Sequence, residues 1–259
     1  MDRRRINGPT EDSFGPVFEA DEVEGIWTPA DGRKDRGLLD IRPIFLQPGL
    51  ISQANGSAYI ETQKTKIACA VYGPRQSKNT AYSETGPAQC GSQVHPILMS
   101  TPTRASASLQ DAEDRSVAVA IHQALVSSVR LELLPKSTID VFITIIECDG
   151  LESCVAAGSI AASTALADAG IELFGLVVSC AASLVENQVW LDPTEDEERV
   201  SAGTIVLSCL PALNKITNVW QTGQMPALDV LRCMEACQQK ATAEIHSIVA
   251  QALLENAKI

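Results

Sequence analysis

The chain has 259 residues, 45% of them hydrophobic but only 4% aromatic, and a formal net charge of −12. That length can bury one large core or two small ones, and the core must be built from Ala, Val, Ile and Leu. The acidity argues against a free-standing RNA binder, since phosphate neutralisation supplies most non-specific affinity. It fits contact with basic partner subunits, or serves solubility alone. The longest apolar stretch, Gly170 to Val185, is broken by Glu172 and falls short of the roughly eighteen residues that a membrane span needs. The first residues, MDRRRINGPTEDSF, lack the apolar segment of a secretory signal. These features predict a soluble intracellular protein, cytoplasmic or nuclear.

Residues 1–36 are polar and charge-rich, with an acidic run from Glu19 to Glu24, and read as a tail or docking arm. Residues 37–259 read as a single globular domain. Strand-like runs follow at Ile41 to Phe45, Gly49 to Ser52, Gly56 to Thr62 and Thr65 to Tyr72. The last two form a hairpin-like pair that Gly73-Pro74 is expected to end. Residues 75–111 are low in pattern, with one strand candidate at Val94 to Met99. Val117, Ile121, Leu125, Val129 and Leu133 recur at helical spacing and predict a helix from Asp114 to Leu133.

Ser137 to Glu147 alternates at Ile139, Val141, Ile143 and Ile145, which predicts a strand. Glu152 to Asp168 is rich in Ala, Gly and Ser, so it predicts a closely packed helix with Gly170 capping its end. Leu173 to Cys180 and Ser183 to Leu191 read as a hairpin. Asp192 to Arg199 reads as an acidic turn or short helix, solvated or facing another subunit. Two more strands, Thr204 to Cys209 and Ile216 to Trp220, precede a closing helix that begins at Pro226 and runs through Asn256. This order is that of an α+β fold with mixed sheets rather than alternating βαβ units. No repeat of solenoid period is present.

The eight cysteines are scattered, mostly inside apolar runs such as Ile67 to Val71, as buried thiols in a reducing compartment are. Cys233 and Cys237 can face each other on a helix, but a zinc site would need two more ligands and none is near in sequence. His95, His122 and His246 are dispersed and form no catalytic spacing. Nucleotide-binding glycine loops are absent from the sequence. No metal and no cofactor is expected.

Between Lys136 and Arg199 there is no lysine or arginine. Within that gap, ALADAG (Ala165 to Gly170) and Asp192-Pro193-Thr194 resemble the RNase PH family. Upstream, Gly56-Ser57-Ala58 and CAVYGPR (Cys69 to Arg75) lie at matching spacing and are similar to its exosome ring subunits. LPALN (Leu210 to Asn214) and the amino-terminal Asp2-Arg3-Arg4-Arg5 with Gly8-Pro9 resemble one subunit type of that ring in particular. The resemblance spans essentially the whole chain, least clearly from Gln76 to Asp111.

What the resemblance implies is the RNase PH fold, a β-α-β-α arrangement like the second domain of ribosomal protein S5. Active members hold phosphate with a Gly-Ser/Thr-Arg turn before the helix carrying ALADA. This chain has Asp149-Gly150-Leu151-Glu152-Ser153-Cys154 at that place. A phosphate site needs oriented N–H donors and usually a cation, and a glutamate would repel the substrate. Active members also carry paired arginines at the start of the preceding helix, where this chain has Ala112-Glu113-Asp114 and only Arg115. Ser201-Ala202-Gly203-Thr204 stands where they place a further acid.

The resemblance therefore implies no catalytic residues and a structural role in a six-membered exosome ring. Its implied partners are other RNase PH-like subunits, S1/KH cap subunits, a separate 3′→5′ exoribonuclease and RNA in the channel. RNA processing and decay, rRNA processing included, would place the protein in nucleus, nucleolus and cytoplasm. Arg75, Lys78, Arg104 and Arg115 are the candidate RNA contacts, each equally an exposed cation with no assigned role. The alternatives are a phosphate-dependent 3′→5′ exoribonuclease acting through a composite site with a partner, and a stand-alone RNA-binding module.

Overall fold

The computed structural model describes residues 32–33, 36–76, 89–94, 107–134 and 137–256. The tail through Asp31, Lys78, Arg104 and the strand candidate beyond Val94 lie outside them. Two sheets enclose one buried helix. The first sheet contains β1 (Phe45–Pro48), β2 (Gly56–Thr62), β3 (Thr65–Gln76), β4 (Gln89–Val94) and β5 (Ser137–Glu147) in the order β1-β2-β3-β5-β4. Its pairs are antiparallel except β4 with β5, which run parallel. The second sheet contains β6 (Val178–Val185), β7 (Gln188–Leu191), β8 (Gly203–Leu210) and β9 (Lys215–Gly223), antiparallel throughout, in the order β7-β6-β8-β9.

The helices are α1 (Ala107–Val126), α2 (Leu151–Asp168), α3 (Glu195–Val200), α4 (Ala227–Lys240) and α5 (His246–Asn256). A π-helical turn, Ala241–Ile245, joins α4 to α5, so the closing helix runs on to Asn256 as expected. From Glu152 to Leu166 every residue of α2 is buried, because the helix packs on β2 and β3 of one sheet and on β6 and β8 of the other. A helix covered on all sides shows no polar face, and small side chains let both sheets approach it. Gly170, at φ 71°, ends it in a Schellman motif: its N–H donates to Ala167 and that of Ile171 to Leu166. The closing helix packs on β6 and β8 as well, and all eight residues of each strand are buried. Beneath it Cys233 and Cys237 are fully buried, and the Cys237 thiol hydrogen-bonds Cys180, which with burial raises its pKa.

Several expectations change. The first strand is Phe45–Pro48 rather than Ile41 to Phe45, Gly49 to Ser52 forms no strand, Gln89–Val94 is a strand the sequence did not announce, and the first long helix begins at Ala107 rather than Asp114. Gly73-Pro74 does not end β3; the strand passes through an irregularity between Tyr72 and Arg75 and pairs with β5 again as far as Gln76. The first long helix stops at Val126 rather than Leu133. There Ser128 Oγ donates to the Leu125 carbonyl at 2.7 Å, and Val129 forms a bridge with Leu173 instead of a further helical turn. The hairpin after α2 runs from Val178, not Leu173, and turns at Glu186-Asn187.

Candidate functional site

The turn between β5 and α2, where the resemblance places phosphate in active members, is filled from within. Gly150 adopts φ 96°, and a Cβ there would collide with the carboxyl of Glu198 on α3. Gly150 is the N-cap of α2 and offers no side-chain acceptor to the first turn. The Leu151 N–H donates instead to Glu198 Oε2 at 3.2 Å. A carboxyl from α3 thus takes the place of an external anion at a helix amino terminus.

Glu152, in the same first turn, is also buried. Its Oε1 accepts from Thr204 Oγ1 at 2.5 Å and Thr222 Oγ1 at 2.7 Å. Burial alone would raise the Glu152 pKa, but hydrogen bonds from Glu198, Thr204 and Thr222 outweigh it and lower the value. Glu198 is pushed the other way, to about 10, by burial first and then by the hydrogen bond to Glu152 and its charge.

Below the turn lies Arg42, which is 1% exposed. Its Nη1 donates to Asp149 Oδ2 at 2.6 Å, its Nη2 to Asp192 Oδ1 at 2.6 Å and to Ser153 Oγ at 3.0 Å, and its Nε to Asp192 Oδ2 at 2.8 Å. Ser153 Oγ lies 3.2 Å from Thr65 Oγ1, and Thr65 Oγ1 accepts from the Asp149 N–H at 3.1 Å. Burial opposes the Arg42 charge, but its bonds to Asp192 and Asp149 raise its pKa above the ordinary value. Asp192 is held below the usual carboxylate range because the Arg42 bonds and charge overcome its burial. Four of the five Arg42 N–H groups are thus taken by Asp149, Asp192 and Ser153, and the side chain is fully buried.

The acidic run Asp192 to Glu198 is not simply solvated, since Asp192, Glu197 and Glu198 turn inward. Thr194 forms a capping box with Glu197 at the start of α3. Glu197, 4% exposed, accepts from Arg33 Nε at 2.8 Å and Nη2 at 2.6 Å. Arg33 also lies 4.9 Å from the centre of the Trp190 ring. Arg36 donates to Asp192 Oδ2 at 3.0 Å and to the Asp192 carbonyl at 2.7 Å. Of the five acids Asp196 is exposed and Glu195 partly so. The end of the predicted tail thus docks on α3 through arginines, a pairing that no sequence spacing announced.

Of the candidate RNA contacts, Arg75 and Arg115 lie among the described residues. Arg75 is exposed beyond the irregularity of β3, with its guanidinium 5.2 Å from the centre of the Tyr72 ring. Arg115 is exposed on α1 and borders a shallow depression with Ser116, Val119, Ala120, Gln123 and Trp220. Among the described residues no group of three or more His, Cys, Asp or Glu side chains is arranged to hold a metal ion.

Two family models match in succession, the 3′ exoribonuclease family domain 1 over residues 40–172 and domain 2 over residues 175–240. The chain belongs to this RNase PH family. It is 34% identical to a protein of Schizosaccharomyces pombe named exosome complex component mtr3, across 99% of this chain and 98% of that protein. The human protein named exosome complex component MTR3 is 36% identical over 86% of this chain and 84% of its own length. Both bear the name of the mRNA-transport subunit type, the one that the Asp2-to-Arg5 signature resembles. Among solved structures, rice Rrp46 superposes with a TM-score of 0.71 at 23% identity, covering 86% of this chain and 99% of that one, a likeness of fold.

Proposed function

We propose that this protein is a non-catalytic subunit of an exosome core ring, in which it helps form the channel that guides RNA to a separate 3′→5′ exoribonuclease. The observation that carries this reading is the Glu198 carboxyl bonded to the Leu151 N–H in the turn before α2. A phosphorolytic enzyme would bind inorganic phosphate there, and two glutamates with no free cation disfavour any dianion. The names of the relatives support assembly with other RNase PH-like subunits. Cap subunits of S1/KH type and the nuclease belong to the same reading, as does presence in nucleus, nucleolus and cytoplasm. Arg75 and Arg115, with Lys78 and Arg104, are its RNA contacts.

Co-expression with the other ring subunits, followed by size-exclusion chromatography with light scattering and a phosphorolysis assay, tests this role. A stable hetero-oligomer that leaves RNA intact when phosphate is present is the expected result. Phosphate-dependent release of nucleoside diphosphates that disappears when this chain alone is altered in the Asp149-to-Cys154 turn would overturn it.

A further inference from the structure

We propose that Glu152 and Glu198 hold a single proton between them at neutral pH, and that this proton fastens α3 onto the first turn of α2. The arrangement leaves little alternative. Glu152 Oε1 receives two threonine hydroxyls, while Glu198 Oε2 receives the Leu151 N–H. Glu198 Oε1 is buried and receives no hydrogen bond from any N–H or hydroxyl. What the Glu198 carboxyl bonds across the gap is the carboxyl of Glu152. Two ionised carboxylates in that position would repel, whereas an acid and a carboxylate make a short charge-assisted hydrogen bond.

Among the described residues no cation relieves the pair. Arg42 is bonded to Asp149, Asp192 and Ser153, Arg33 to Glu197, Arg36 to Asp192, and Arg199 to Glu195. The other groups facing Glu198 are the Cys148 thiol at the end of β5 and the hydroxyls of Thr204 and Thr222 behind Glu152. The Cys148 thiol donates to the Gly150 carbonyl, and Cys154 and burial push its pKa up, so it stays neutral and adds no charge of either sign. Glu197, the neighbour of Glu198, anchors Arg33. Losing the proton therefore loosens α3 and the amino-terminal segment docked on it.

The sign follows from linkage. Glu198 binds its proton more tightly in the fold than in the unfolded chain, so its contribution is complete below the ordinary glutamate value. That contribution declines as pH rises toward its folded value of about 10. Glu198→Gln keeps a hydrogen-bond donor toward Glu152 at every pH. Glu152→Gln supplies a donor from the other side and lets Glu198 ionise. In the full-length chain both variants should match the wild type near pH 5 and exceed it at pH 9. The Tm gap should widen by about 5 °C over that range. Other titrating groups are common to all three proteins and cancel in the difference.

A gap independent of pH would overturn the proposal. So would relief in Glu198→Gln without relief in Glu152→Gln, because burial of Glu198 alone would then suffice. Carbon-13 NMR of glutamate carboxyls in the wild-type chain gives a reading that needs no variant to fold. One carboxyl should stay protonated at pH 7, and titration of every glutamate in the ordinary range would sink the idea.

Discussion

The buried Arg42 joins the turn before α2 to the start of the α3 segment. Removing it would leave Asp149 and Asp192 without their shared cation in a buried place. Breaking a buried ion pair from one side costs about 3–5 kcal/mol, and Arg42→Met should lose that much in urea denaturation at pH 7. The pH dependence distinguishes this loss from simple repacking. In the wild type Asp192 binds its proton more weakly than in the unfolded chain, so its contribution is present above the ordinary aspartate pKa of about 4. It is lost as pH falls through the lower folded value. Without the Arg42 guanidinium only Arg36 and the backbone N–H of residue 42 still oppose the burial of Asp192, so its pKa should rise and the variant should lose less stability on acidification from pH 7 than the wild type does. The difference between the two proteins should then be largest at neutral pH and shrink toward pH 4.

Elements whose cause is local were legible, and those that depend on a distant partner were not. The strand Ser137–Glu147 has the bounds its alternation predicted, and α2 begins one residue before its expected start. The hairpin of β6 and β7 turns at Glu186 and Asn187, at φ 48° and 62°, a left-handed pair that favours Asn and Gly. Glu is a poor choice at the first position. Glu186→Asn should stabilise the protein by about 0.5–1 kcal/mol, read from the midpoint of chemical denaturation. At the candidate site, Glu152 was visible as an acid in a phosphate-type turn. Glu198 was not, because it lies far along the chain in a run whose charge density suggested solvent. The capping-box spacing of Thr194 and Glu197 was the available local signal that this run folds as a helix. The arginines that neutralise Asp192 and Glu197 come from residues 33–42, and only the tertiary fold brings them there.

At the scale of the whole molecule, a net charge of −12 sets what the chain can do with RNA. Its long-range field repels a polyanion, so RNA must be held by local cations within an assembly. Exposed apolar side chains also point to assembly, with Leu228 76% exposed on α4, Leu231 on the same helix, and Ile216 and Val219 on the edge strand β9. In a reconstituted ring, exchanging Arg75 or Arg115 for Glu should leave the elution volume unchanged, because both side chains are exposed. RNA affinity should fall at low salt. For single-stranded RNA each lost phosphate contact should also flatten the plot of log K against log salt by about 0.7. The double variant should lose twice that slope if both residues meet the backbone. A slope that stays at the wild-type value in both variants would remove these arginines from the RNA path. The isolated chain should bind RNA more weakly than the ring at every salt concentration, since the cations it contributes are few and its own acidity opposes them.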